Sequence, residues 1–172
     1  MGPARDCTAM RVTPAVVHEE YEWIRERRGV VVPLVNDTRD HLGEQFGVDV
    51  DSITDSQYDA AVAAVFEDGD RAVNVAALTR LLRDLDVEGD YPGFVVDELL
   101  GRELAAMMAG DQPLRLLAEA TFHVADVRTH GSDDDPAGAD DLDAALAAGV
   151  QTRLPGWPWQ AQASPFSIDD LR

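Results

Sequence analysis

The chain has 172 residues, of which 33 are acidic and 14 are arginine, with no lysine and a formal net charge of −19. Repulsion of this size weakens a compact fold in dilute buffer. Salt relieves it, because the Debye length falls from about 10 Å at 0.1 M to about 3 Å at 1 M. The composition is therefore typical of a protein that works in molar salt. It argues against nucleic acid as a direct partner, since phosphate binding needs clusters of basic side chains.

Several other classes are excluded by what the sequence lacks. The single cysteine, Cys7, rules out an internal disulfide and a cysteine-rich metal site. No apolar stretch is long enough to span a membrane, and the N-terminus has no signal-peptide core, so we expect a location in a virion or in the cytoplasm of a high-salt organism. The absence of lysine excludes P-loop nucleotide hydrolysis and Schiff-base chemistry, both of which need a lysine side chain.

The first predicted helices follow from capping signals and apolar periodicity. Thr13 before Pro14 is typical of an N-cap with proline at the first helical position, and Gly29 stands where a terminating glycine is expected. The β-branched residues 30–32 then meet Pro33. They are either a connector or the only strand candidate before a second helix, which is predicted to end at Gly47.

The remaining elements are also helical by periodicity. A third helix ends near Asp68, and a fourth, from Arg71 to about Leu85, is the most apolar and is predicted to run through the middle of the bundle. Residues 90–93 are predicted to break the chain before a fifth helix, and residues 110–113 to turn into a sixth. The chain is therefore predicted to be all-α, an irregular bundle of five to seven helices with an extended C-terminal arm.

Composition divides the chain into four parts. We expect a flexible leader over 1–12, the helical bundle over 13–130, an acidic linker over 131–141, and a short helix plus an extended docking arm over 142–172. Apolar side chains on an irregular, proline-containing arm must dock either on a neighbouring subunit or back on their own bundle. The acidic spacer favours the neighbour. The predicted contact residues are Leu154, Trp157, Trp159 and Phe166.

Two acid–His–acid triplets of equal spacing occur on different predicted helices: Asp37, His41 and Glu44; Glu119, His123 and Asp126. Two such triplets could hold a metal pair in a bundle core if they faced inward. Helical geometry instead places both away from the apolar stripes of their own helices, so we expect solvated faces and no cofactor. The candidates for a metal-binding alternative are His41, Glu44, Glu119 and His123.

These observations favour a non-enzymatic assembly protein of a salt-adapted system. Its expected partners are other protein subunits, in a homo-oligomer or a larger assembly, with no membrane or nucleic acid. The most concrete form is a virion component, of the head–tail connector or minor capsid type, of a tailed virus that infects a halophile. Two alternatives stay open: a metal-binding helical-bundle enzyme that uses the triplets, and a cytoplasmic regulator that binds another protein.

The net charge of −19 gives the first prediction. We expect a markedly higher melting temperature in about 2 M KCl than in about 50 mM KCl, because screening removes repulsion among surface carboxylates. Circular-dichroism melts at the two salt concentrations measure the difference. Equal midpoints would contradict adaptation to high salt.

Overall fold

The computed structural model describes residues 9–85, 88–110, 114–129 and 139–158, which form seven helices. The fifth, α5, is continuous over residues 90–108 and contains a π-helical turn, Asp97–Gly101, between Asp90–Val96 and Arg102–Met108. The other helices are α1 Pro14–Glu26, α2 Arg28–Phe46, α3 Asp55–Glu67, α4 Gly69–Asp84, α6 Leu114–Asp126 and α7 Ala139–Val150. The all-α prediction is confirmed. No helix among the described residues could cross a membrane.

Local chemistry sets several helix ends where the sequence predicted them. The Thr13 hydroxyl accepts a hydrogen bond from the Val16 amide at 3.2 Å, so α1 begins with a side-chain cap followed by proline. At the other end of α2, Gly47 adopts a left-handed conformation with φ of 65° and terminates the helix. These are positions where one residue decides the backbone without help from packing.

The predicted break after α1 lies elsewhere. Gly29 and Pro33 both lie inside α2, and the chain turns at Arg27, which keeps a right-handed conformation with φ of −73°. Val31 and Val32 are buried, so packing outweighs their weak helix propensity, and residues 30–32 form neither a connector nor a strand.

The predicted break at residues 90–93 is also wrong, because α5 begins at Asp90. Pro92 lies in the first turn, where backbone N–H groups have no intrahelical acceptor in any case, so the ring costs no hydrogen bond. Residues that are common in turns, such as Pro92, can therefore also occupy the first turn of a helix.

The middle of the bundle is occupied by α7, whose residues 141–150 are all buried. It contacts α2, α3, α4, α5 and α6. The predicted central helix, α4, instead leaves Leu81 41% exposed. A Cβ on Gly149 would lie 2.8 Å from both the Ala105 carbonyl oxygen and Met108 Cβ, so the small residues of α7 let its neighbours pack closely. The helix that composition separates from residues 13–130 is thus the core of that bundle.

Arginines join the helices by ion pairs that reach across the bundle. The fully buried carboxylate of Glu20 accepts hydrogen bonds from Arg80 and Arg83 of α4 at 2.7 Å each. Arg27 donates to Asp143 of α7 with nitrogen–oxygen distances of 3.0 and 2.5 Å. Arg27 at the end of α1 therefore takes part in an interhelical contact.

Tyr58 gives a prediction about alkaline pH. Its hydroxyl is buried and donates to the Ile24 carbonyl oxygen at 2.7 Å. Burial, followed by the nearby Asp143 and Asp59, raises the pKa of Tyr58 above its usual 10. The folded state therefore keeps the phenol proton that the unfolded chain loses, so this contribution is complete below pH 10 and is lost as pH rises above it.

We expect Tyr58→Phe to lower the free energy of unfolding by about 1–2 kcal/mol at about pH 8, through the lost hydrogen bond. The deficit should shrink by about 1.4 kcal/mol per pH unit above about pH 10, because only the wild-type protein must keep a phenol neutral. Urea unfolding of both proteins at about pH 8 and pH 11 measures this. Since other groups titrate equally in the two proteins, a deficit independent of pH would contradict the assignment.

Candidate functional site

A buried arginine fixes the start of the C-terminal segment. Arg39 of α2 is 0% exposed, and its guanidinium donates to four backbone carbonyls rather than to a carboxylate. One terminal nitrogen bonds the Asp51 oxygen at 2.7 Å and the Pro155 oxygen at 2.8 Å. The other bonds the Gln151 oxygen at 2.9 Å and the Leu154 oxygen at 3.2 Å. A single side chain thus holds residues 151–155 against α2.

The surroundings of Arg39 suit a buried cation. Burial lowers its pKa to about 10, and the nearby Asp51 carboxylate opposes this shift, so the side chain remains charged at neutral pH. The Trp157 ring covers the guanidinium with its centroid 5.7 Å away. Gly156 has a φ of 113°, and a Cβ there would lie 3.0 Å from an Arg39 terminal nitrogen. Only glycine fits this position without strain.

The predicted contact residues divide into two groups. Leu154 and Trp157 are 5% and 3% exposed, and they pack on their own bundle. For these two residues the docking alternative in the same chain is the observed one, and they offer no surface to a neighbour. Trp159 and Phe166 lie outside the described residues. An arm that reaches a neighbour would have to start after Pro158.

The C-terminal segment also differs from the rest of the chain in charge. Residues 144–168 contain one charged residue, Arg153, whereas the average of 27% predicts about seven. Arg153 donates to the Met108 and Ala109 carbonyls at the end of α5. Eleven of residues 144–157 are buried, so in this part of the segment the scarcity of charge coincides with burial.

Arg39 was not among the residues predicted from the sequence, although a signal was present. Arg39 lies four residues after Val35 and three before Leu42, both buried, so it occupies the apolar stripe of α2. An arginine at such a position must find buried acceptors. Periodicity could therefore have marked it as buried, but the acceptors are carbonyls from distant segments, which no local pattern encodes.

The acid–His–acid triplets lie on the surface and are not brought together. Asp37 pairs with Arg128 at 2.8 Å, while His41 is half-buried and Glu44 is exposed. The His123 side chain is 63% exposed, with Nδ1 3.6 Å from Glu98 Oε1. Glu119 is half-buried on α6. Within the described ranges, no three His, Cys, Asp or Glu side chains converge closely enough to hold a metal ion.

Three large apolar side chains of α5 are exposed to solvent. Tyr91, Phe94 and Leu99 are 78%, 60% and 65% exposed. Contiguous apolar patches mark protein contacts more often than isolated exposed residues do. Phe46 at the end of α2 is exposed to a similar extent, 66%, but stands on another helix.

One protein family, described as a domain of unknown function (DUF7984), matches residues 10–170. The chain belongs to this family. The match includes all seven helices and continues past Phe166, so the family domain contains the C-terminal segment as well as the bundle. No curated protein and no solved structure matches the chain.

Arg39 gives a stability prediction. We expect Arg39→Met to lower the free energy of unfolding by about 3–5 kcal/mol, because four carbonyls lose a charged donor and Trp157 loses its cation. Arg102→Met is the matched control. The Arg102 side chain is 49% exposed and pairs with Glu98 within α5, so we expect a change of about 0.5 kcal/mol or less. Urea unfolding in molar salt compares the two, and equal effects would contradict the role of Arg39.

Proposed function

We propose that this chain is a non-enzymatic assembly protein of a salt-adapted system, and that its C-terminal segment beyond Pro158 joins it to a neighbouring subunit. The observation that carries the proposal is the run over 144–168, in which Arg153 is the one charged residue. Most of its described residues are buried, although Pro155 and Pro158 are exposed. In a protein with a net charge of −19, carboxylates keep the rest of the surface hydrated. Residues 159–168 are uncharged and contain Trp159 and Phe166, so we expect another protein surface to bury them.

The anchored base supports the proposal. Arg39 and the Trp157 ring hold residues 151–157 firmly, so residues 159–172 start from one defined place, the exposed Pro158. A fixed exit point limits the directions in which the remaining 14 residues can reach, and this lowers the entropic cost of docking. Residues 151–157 then anchor the segment to its own chain, and residues 159–172 contact the neighbouring subunit.

The more specific expectation is a virion component, of the head–tail connector or minor capsid type. It adds the requirement of a defined copy number in a closed ring or shell. Native mass spectrometry and negative-stain electron microscopy in high salt test that requirement. Open, length-variable assemblies would contradict the connector form and leave the general assembly proposal in place.

The test of the proposal is truncation at Pro158. We expect the full chain to form a defined oligomer in about 2 M KCl, and the chain without residues 159–172 to be a monomer with an unchanged melting temperature, since the Arg39 contacts remain. Light scattering after size exclusion, together with thermal melts, measures both.

Two controls sharpen this experiment. Deletion of residues 151–172 should destabilise the bundle itself, because it removes Gln151, Leu154 and Pro155 from Arg39. Within the segment, Phe166→Ala should weaken assembly, whereas Gln162→Ala should not, since apolar burial supplies the affinity. A full-length chain that stays monomeric in high salt would contradict the proposal and favour the regulator alternative.

A further inference from the structure

A groove of about 360 Å³ lies between the first part of α1 and the end of α3. It is lined by three aromatic rings, those of His18, Tyr21 and Phe66, and by the side chain of Glu67. The ring centroids of His18 and Tyr21 are 6.4 Å apart, and those of Tyr21 and Phe66 are 5.1 Å apart. The ring planes are tilted by 41° and 54°, so the three rings do not form a flat wall. His18 and Glu67 are exposed, and the groove is therefore open to solvent.

The charges at this end of α3 are negative. Phe66 and Glu67 end the helix, and its last turn has no basic side chain. The carbonyl groups of a last helical turn carry partial negative charge, to which the Glu67 carboxylate adds a full one. Aromatic faces also attract cations, because the ring quadrupole is negative above the plane. The groove therefore combines three features that favour a positively charged ligand.

A contact within α1 shows which cation such a combination holds. The Arg25 guanidinium lies over the Tyr21 ring, 5.5 Å from its centroid, and one of its nitrogens donates to Glu22 at 3.3 Å. An aromatic residue followed by a glutamate thus contacts both the face and the N–H edge of an arginine. Phe66 and Glu67 repeat this pair on α3. In the part of the chain that the structure describes, no arginine stacks on Phe66, and Glu67 forms no ion pair.

We infer that this groove binds an arginine side chain of another protein, at a site separate from the contact proposed for residues 159–172. A guanidinium is weakly hydrated and planar, so it can stack on a ring while its N–H groups bond to a carboxylate. An exposed ion pair alone is screened in molar salt, so the added stacking makes arginine a better ligand than lysine. An open groove also suits a side chain of a large partner better than a free small molecule, which binds where most of its surface is buried.

A second copy of this chain is a poor source of that arginine. Ten of its 14 arginines make contacts within their own chain, namely Arg25, Arg27, Arg28, Arg39, Arg71, Arg80, Arg83, Arg102, Arg128 and Arg153. A second copy would also bring a net charge of −19 against Glu67. A less acidic protein with an arginine on an exposed segment meets neither obstacle, and attraction to this acidic chain favours its approach.

An NMR titration of the full chain tests the inference with N-acetyl-arginine methylamide as the probe, in about 2 M KCl. We expect the ring resonances of Phe66 and Tyr21 to shift in a saturable way, with a dissociation constant on the order of 10 mM. N-acetyl-lysine methylamide should bind about threefold more weakly or less, because an ammonium stacks poorly on a ring. Phe46 is the internal control. It is 66% exposed on α2, and its resonances should not move.

A matched pair of variants examines the carboxylate. Glu67→Gln should weaken binding of the arginine probe by about threefold, as expected for one exposed charged contact. Glu26→Gln changes an exposed glutamate at the other end of α1 and should leave the affinity unchanged. Both side chains are exposed, so we expect both variants to fold, and thermal melts check this.

Four results would overturn the inference. Equal shifts at Phe46 and Phe66 would show non-specific stacking, and equal affinity for the lysine probe would remove the selection of arginine. Arg11 is exposed three residues before Pro14, so tighter probe binding by Arg11→Ala would assign the groove to its own chain. Weaker self-association of Glu67→Gln in light scattering would assign it to a second copy. Probe binding is measured separately from assembly, so it can fail while the proposed function stands.

Discussion

The contact between the Arg39 guanidinium and four backbone carbonyls determines where the C-terminal part of this chain lies. Three of these carbonyls come from the turn that follows α7, where a helix end carries partial negative charge and unsatisfied oxygens. A buried cation there satisfies the helix end, and the two terminal nitrogens of Arg39 find acceptors in return. The C-terminal end of the central helix, α7, is thereby fixed to α2, and the neighbouring helices pack against α7.

The use of arginine in place of lysine has structural consequences as well as compositional ones. A guanidinium presents five donors in a planar fork, so one arginine can serve two or more acceptors, which an ammonium on a flexible stem does less well. Arg71 and Arg153 both donate to the Ala109 carbonyl at the end of α5, and two arginines share the buried Glu20. Partly buried pairs of this kind are less screened than surface pairs, so they keep their strength in high salt.

The sequence predicts the helical class and those boundaries that one residue decides, such as Gly47. It misplaces the boundary at Pro33, because a proline near a helix start is compatible with both a break and a continuing helix. The Ala-rich α7 follows an acidic stretch and has little amphipathic contrast, so its place at the centre is set by close packing that only the assembled bundle shows. The role of Arg39 could not be predicted, because the carbonyls that accept its hydrogen bonds are distant in sequence. Leu99 has the periodicity of a core residue, and periodicity cannot distinguish a core from a contact surface.

The position of α7 bears on how the protein is made. Its residues 139–150 are synthesised only after the other six helices. Until then the first six helices have no partner for the faces that α7 will fill, and their apolar side chains are open to misassembly with other nascent chains. The bundle therefore closes late, by long-range contacts that fold more slowly than local ones. A cell making this protein must keep an intermediate without α7 soluble, a task for which a dense shell of carboxylates is well suited.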